Sequence, residues 1–441
     1  MFYFFVGSLC LYGVTLLKNL YLKRLFDIAT FSLMVFIPLV LYLCDWSLLI
    51  VKPIANDFYL IVGLFFIFVS FTSWIEGKTQ KIKKESVQLK NRYLIDLYTL
   101  FFIFCCFLEN YILSGHILPA LFGIDIHTDK VGGLMWITNS YFLPLALNYI
   151  GFYKTKQKRY IGYFLFIVFL PLFGKGSRLD IFMNLLQVAL LWLFLRPTSF
   201  KPKKRIKGNF KALKRLLKFL LKICLVIAVL FFLAFLIILV GVYRSTGTLS
   251  TQSMYALSID YVGPGTGFLK EVFAWSYGYF AFSFNNLNNN ILNTWIEPNY
   301  IGLNSFKAFW FGLLHGSWFG LSSDAANNAK TIVTTSATTT TVFWDFYYDF
   351  YHLSFIPILI TASFYLFLKK RAQKKSPKVG SILNYIYWCG LLLFISFNNT
   401  IFFDLVFINM IVNHIVCHFI FKSTIFETQD VGFIVRRKCH Q

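Results

Sequence analysis

Four short constellations carry residue types that could do chemistry. Gly174-Lys175-Gly176-Ser177-Arg178 sets two cations in a glycine-bearing turn. Glycine lets backbone come close to a ligand, and Arg presents a planar fork of donors that matches phosphate oxygens. The spacing is not that of a nucleotide-binding P-loop. The same residues also fit a plain turn whose Lys and Arg reach up to water. Val242-Tyr243-Arg244-Ser245 supplies a second Arg at the end of an apolar run. It suits either a shared phosphate site or an interfacial anchor. Leu314-His315-Gly316-Ser317-Trp318 holds a His able to take a proton from a hydroxyl. A lone His beside aromatics serves as well as a hydrogen-bonded structural residue.

The fourth constellation is Phe343-Trp344-Asp345-Phe346-Tyr347-Tyr348-Asp349-Phe350-Tyr351-His352. Asp345, Asp349 and His352 are spaced i, i+4, i+7, which predicts one shared helix face. Ionisable groups entering an apolar helix read by default as functional, here in carboxylate-assisted catalysis or hydroxyl recognition. The competing reading is a solvated helix end, and a metal site ranks below both. Tryptophan gathers in the same region. Trp275, Trp295, Trp310 and Trp318 lie between residues 244 and 340, and Trp344 borders them. Such rings stack on sugar faces or form an interfacial belt. Trp275 and Trp318 are the substrate-binding candidates among them, with Lys175 and Asp349, and the Asn-rich stretch from Asn285 to Asn293 tilts the reading toward glycan.

The elements that must position these residues are apolar runs. The chain is 57% hydrophobic and 14% charged, where soluble domains carry about a quarter charged residues. That predicts an all-α, polytopic integral membrane protein. The runs are too long for barrel strands. They fall at about 2–17, 28–50, 57–74, 94–113, 133–152, 160–174, 179–195, 219–243, 343–368, 382–398 and 401–421, giving about 11 spans. Two further aromatic runs, 268–284 and 306–321, would raise the count to 13 if both crossed. The breaks at Gly263-Pro264-Gly265 and Asn285–Asn293, and the charges Lys270, Glu271 and Lys307, favour interfacial or re-entrant helices instead. The expected organisation is a bundle over 1–243, a large loop over 244–340, further transmembrane helices over 341–421 and a tail over 422–441. The first run has no basic region or small-residue cleavage site ahead of it, so no secretory leader is expected. The eight cysteines sit in or beside apolar runs and in the basic tail, without metal or redox spacing, and read as small buried hydrophobes.

The formal charge of +23 is an orientation signal. Of the 42 Lys and Arg, 34 cluster after alternate spans. The positive-inside rule then places the N-terminus outside, the C-terminus in the cytoplasm and the long loop outside, which in a bacterium is the periplasm. The basic groups meet anionic lipid heads in the bilayer. No basic patch gathers in a folded soluble region, so nucleic acid is not a partner. No internal repeat is visible and the spans are nearly free of internal charge, Glu109 and Asp180 being shallow exceptions. Both points weigh against a transporter.

With these features in place the chain resembles the bacterial oligosaccharide repeat-unit polymerases, the Wzy-type O-antigen and capsule polymerases. The similarity lies in the layout of spans, the large outer loop in the C-terminal third, the Gly-x-Ser-Arg turn leading into 174–195, and the stretch FWDFYYDFYHLSFIPIL. The family's Gly-rich continuation of that helix is replaced here by His352-Leu353-Ser354. The resemblance implies a helical, GT-C-like glycosyltransferase fold in the inner membrane, with an active site facing the periplasm and neither cofactor nor metal. It implies transfer of a growing glycan from undecaprenyl pyrophosphate to the non-reducing end of a new lipid-linked repeat unit. Arg178, then Arg244, would bind the pyrophosphate, and His315 or Asp345 would act as base. A chain-length regulator and a flippase stand as open protein partners. The alternatives are a polysaccharide flippase or other transporter, the related O-antigen ligase, and a structural or sensory membrane protein.

Overall fold

The computed structural model describes residues 1–22, 24, 26–76, 89–122, 124, 126, 131, 133–174, 178–195, 258–294, 296, 298–314, 332–334, 339–374, 377–396 and 405–422. The secondary structure of these residues is helical, with no strand among them. In chain order the helices are α1 (Phe2–Tyr21), α2 (Ile28–Phe31), α3 (Leu33–Leu43), α4 (Asn56–Ile75), α5 (Tyr93–Ser114), α6 (Met135–Thr138) and α7 (Phe142–Thr155). There follow α8 (Arg159–Gly174), α9 (Arg178–Leu195), α10 (Gly267–Asn293), α11 (Val342–Phe350), α12 (Phe355–Ala372), α13 (Val379–Leu392) and α14 (Val406–Ile420).

Among the described residues three helical stretches are long and apolar enough to cross a membrane: Phe2–Tyr21, Asn56–Ile75 and Tyr93–Phe122. Shorter apolar helices fill Ile28–Leu43, Arg159–Gly174, Ile181–Leu195, Val379–Leu392 and Val406–Ile420. The all-helical, membrane-embedded class therefore holds. The run over 219–243 lies outside the described residues.

Local chemistry sets the ends of these helices. Asp27 caps α2 by accepting from the Ala29 amide at 2.9 Å. Gly115, at φ 73°, stops α5 in the left-handed conformation that glycine adopts without strain. Packing uses small and hydroxylated faces, as expected where lipid tails are as apolar as leucine. Ser8, Tyr12, Thr15 and Asn19 form the buried edge of α1, which lies along α4. There Asn19 donates to Ser73 Oγ at 3.0 Å, and Trp74 to Thr15 Oγ1 at 3.0 Å. Helices α13 and α14 meet closely at Gly380, where a Cβ would stand 2.8 Å from the His414 Cα.

Two expectations fail here for physical reasons. The Asn-rich stretch does not break the chain. It forms the second half of α10, and residues 281–290 are all buried. The 268–284 run is thus not confined to an interfacial surface. It leads into a helix packed against α3, α4 and α11, with Phe284 wedged between Phe58 and Phe343. Conversely, 343–368 is not one straight span. The chain turns at Tyr351 (φ 48°, ψ −119°), and the helical stretches before and after are bent by 118°.

Candidate functional site

Helix α11 is the first half of the bent helix pair, and it starts inside the bundle. Its buried first residue, Val342, donates its amide to Ile395 O at 3.0 Å. Val342 and Phe346 lie beside Phe65, Phe68 and Val69, beyond the midpoint of α4, and against Ile358 and Thr361 of α12. They line a cavity of about 20 Å³, room for at most one water, so this is not a substrate pocket. From there α11 runs back along α4 until the Tyr347 hydroxyl donates to Asp57 Oδ2 at 2.5 Å, in the first turn of α4.

At the far end of α11 the two aspartates separate in role. Asp349 is 0% exposed. Its Oδ1 accepts from Asn299 Nδ2 and Asn304 Nδ2, each at 2.8 Å. Its Oδ2 accepts from the amides of Asn304 at 2.9 Å and Ser305 at 2.5 Å. The Asp349 carbonyl takes the Tyr300 amide at 3.0 Å. All of this holds the 299–305 loop, so in this structure the Asp349 carboxylate expected to bind substrate is engaged by protein donors. Asp345, 6% exposed, lies one turn earlier, and Ser305 Oγ donates to its carbonyl at 3.0 Å. His352 follows the bend, so the single face expected for Asp345, Asp349 and His352 does not form.

The asparagines of α10 work the same way. Asn285 accepts from the Val51 amide at 2.8 Å and donates to Leu49 O at 3.0 Å. Asn288 accepts from the Ala55 amide at 2.9 Å and donates to Val51 O at 3.0 Å. Asn286 accepts from the Val333 amide at 3.1 Å and donates to Thr339 O at 2.8 Å. Each carboxamide satisfies both a donor and an acceptor of irregular backbone, as buried peptide groups require. These side chains are stitches between α10 and its neighbouring segments. We expect Asn288→Leu, which keeps the bulk and strands the Ala55 amide, to cost about 1–3 kcal/mol. A melting temperature in detergent equal to wild type would contradict it.

The other sequence candidates distribute as follows. Trp275 is only 7% exposed on α10 and stacks on Tyr279 with centroids 5.9 Å apart, so it offers packing and not an open ring face. Arg178 opens α9. One turn on, Phe182 meets Phe394 edge-on at 5.9 Å, and the adjoining Ile395 holds the Val342 amide. The start of α9 and the buried start of α11 are thus linked through the turn after α13. Just before the glycine turn, a Cβ on Gly174 would stand 2.8 Å from Asn110 Nδ2, so only glycine fits that approach without a shift. Lys175, Arg244, His315 and Trp318 lie outside the described residues. Among the described residues no group of three or more His, Cys, Asp or Glu side chains could hold a metal ion.

Two polar features escape the sequence reading. One is the Asp57–Tyr347 pair. The other is a buried ionic network where α1, α2, α4, α12 and α13 meet. Lys369 forms an ion pair with Glu76 and donates to Phe26 O at 3.2 Å. Glu76 also accepts from the Tyr365 hydroxyl at 2.7 Å and the Ile28 amide at 3.3 Å. Tyr365 and Tyr385 share a further hydrogen bond of 3.2 Å.

Comparison with protein-family models, with curated proteins and with solved structures finds no match.

Proposed function

We propose that this chain polymerises lipid-linked oligosaccharide repeat units at the outer face of a bacterial cytoplasmic membrane. The observation that carries this reading is the junction between α9 and α11. The start of α9, which the candidate pyrophosphate ligand Arg178 opens, and the helix built from the FWDFYYDF stretch are far apart in sequence. They are linked through Phe182, Phe394, Ile395 and Val342. In this reading the guanidinium of Arg178, with Arg244, neutralises the pyrophosphate as the glycosidic bond to it breaks. Preorganised positive charge at a leaving group is commonly the largest catalytic term. Holding both lipid carriers in one plane supplies the positioning. Asp345 or His315 would take the proton of the acceptor hydroxyl.

The test is a gel of surface glycan from a deletion strain, complemented with wild type or with Arg178→Ala. A single repeat unit on the lipid core, restored to a ladder by wild type, is the expected result. Arg178→Ala should lower polymer at least about 100-fold at unchanged protein level. A normal ladder from that variant would remove Arg178 from the site. One observation favours a second reading, transport: α11 and α12 form a broken helix pair whose first half begins deep in the bundle, a device of transporter binding sites. Lipid-linked intermediates trapped on the cytoplasmic side of the deletion strain would support that alternative. Bare core with polymer retained on the carrier would point to the ligase.

A further inference from the structure

On the basic side of the bundle, α5 and α7 frame an open surface cavity of about 300 Å³ lined by Leu89, Lys90, Asn91, Arg92, Tyr93 and Thr155. Its floor is tied down. The amides of Lys90 and Asn91 donate to Ile420 O at 2.8 and 3.2 Å, and Leu89 bridges to Phe421. Asn91 Oδ1 accepts from the Tyr93 amide at 3.1 Å. Arg92 lies over the Tyr93 ring at 5.0 Å, with Nη2 3.1 Å from its hydroxyl. Asp96 pairs with Arg159 at 2.8 Å and also lies in the field of Arg92, so among the described residues one carboxylate faces Lys90, Arg92 and Arg159, the cluster stays net positive, and no carboxylate lines the cavity itself. The positive end of the α5 dipole points the same way. A volume of this size accommodates a phosphate with its substituents.

The surroundings identify the phosphate's source. Tyr93 is followed on α5 by Leu97, Leu100, Phe101 and Phe104, all exposed. The spacing from Tyr93 puts them on one face. An apolar stripe thus runs from the mouth of the cavity along the first half of the helix. We propose that this cavity binds the headgroup phosphate of an anionic glycerophospholipid, whose acyl chains lie along the α5 stripe. Basic pockets between transmembrane helices on the cytoplasmic side recognise lipid heads in this way. The site is separate from the outer-face chemistry and stands whether or not the polymerase reading does.

The test uses the full chain, delipidated and reconstituted in nanodiscs of phosphatidylcholine, alone or with an equal amount of phosphatidylglycerol. Wild type should melt higher in the anionic nanodiscs and retain phosphatidylglycerol in native mass spectrometry. Lys90→Gln/Arg92→Gln should weaken that retention about thirtyfold. Lys370→Gln/Arg371→Gln removes the same charge elsewhere on that side and should leave it intact. Equal losses in the two double variants would reduce the effect to surface charge and overturn the proposal. Thr155→Trp keeps every charge and fills the cavity. It should match the Lys90/Arg92 variant, and undiminished retention would also overturn the proposal. Inorganic phosphate is added to the phosphatidylcholine nanodiscs as a separate arm. If it raises the melting temperature as far as phosphatidylglycerol does, the site takes soluble phosphate and the lipid assignment fails.

Discussion

Asp349→Ala should unfold the 299–305 loop and the end of α11 that it holds, and under the proposed polymerase reading any loss of glycan product would follow from that loss of fold. The wild-type carboxylate accepts four hydrogen bonds from the 299–305 loop. Alanine leaves those donors without their acceptor in a site closed to solvent. A buried donor left unsatisfied costs about 1–3 kcal/mol. Even with half of them rescued by water after the loop shifts, the loss is about 2–6 kcal/mol, against a total stability of about 5–15 kcal/mol. The Phe306 and Phe350 rings packed close against Gly302 limit that shift. Asp349→Asn is the sharper probe. It keeps shape and one oxygen, but presents an NH₂ to two N–H donors. It should lose about half of what alanine loses, read as melting temperature in mild detergent and as yield of monodisperse protein. If Asp349→Asn melts like wild type while glycan polymerisation disappears, the side chain contacts substrate and our structural assignment is wrong.

This result bears on how much of the fold is legible in the sequence. The apolar runs foretell the helices well, because burial in lipid and burial in a bundle both select uninterrupted apolar sequence. The turn after α11 is harder to see. Tyr351 adopts a positive φ without being glycine or asparagine, so composition does not flag it. A weaker signal is present: Ser354 followed by Pro357 is a helix-start pattern, and α12 does begin at Phe355. The asparagine run misleads in the opposite direction. Asparagine is a poor helix former because its side chain competes for backbone hydrogen bonds. In α10 those side chains bond to backbone of other segments, and tertiary contact overrides local preference. Asp349 reads as a ligand-facing carboxylate because its partners, Asn299, Asn304 and Ser305, are 44 to 50 residues away. No periodicity reports that separation. The start of α9 is legible as a cation-bearing turn, but its link to α11 through Phe394 and Ile395 is not.

The buried ionic network yields the second large effect. Lys369→Met alone should destabilise the protein by about 3–5 kcal/mol, because it strands the Glu76 carboxylate in a low-dielectric interior; Glu76→Gln should cost less, because Asp27 still faces Lys369. The double variant Glu76→Gln/Lys369→Met should recover most of that loss. It removes both charges, and the carboxamide introduced at position 76 can accept from the Ile28 amide through its oxygen and donate through its NH₂ to the Tyr365 hydroxyl oxygen, residues 48 and 289 away in sequence. A double-mutant cycle then gives a coupling energy of about 2 kcal/mol or more, where independent sites agree with additivity to within about 0.5 kcal/mol. Added salt should leave the coupling unchanged, since screening reaches exposed pairs and spares buried ones. The exposed Lys52–Asp45 pair is the internal control. Its disruption should move the melting temperature little, in keeping with the roughly 0–1 kcal/mol typical of surface ion pairs. If the Glu76 and Lys369 effects prove additive and salt-sensitive, the two side chains are separately hydrated. The network would then not be what fastens α4 to α12.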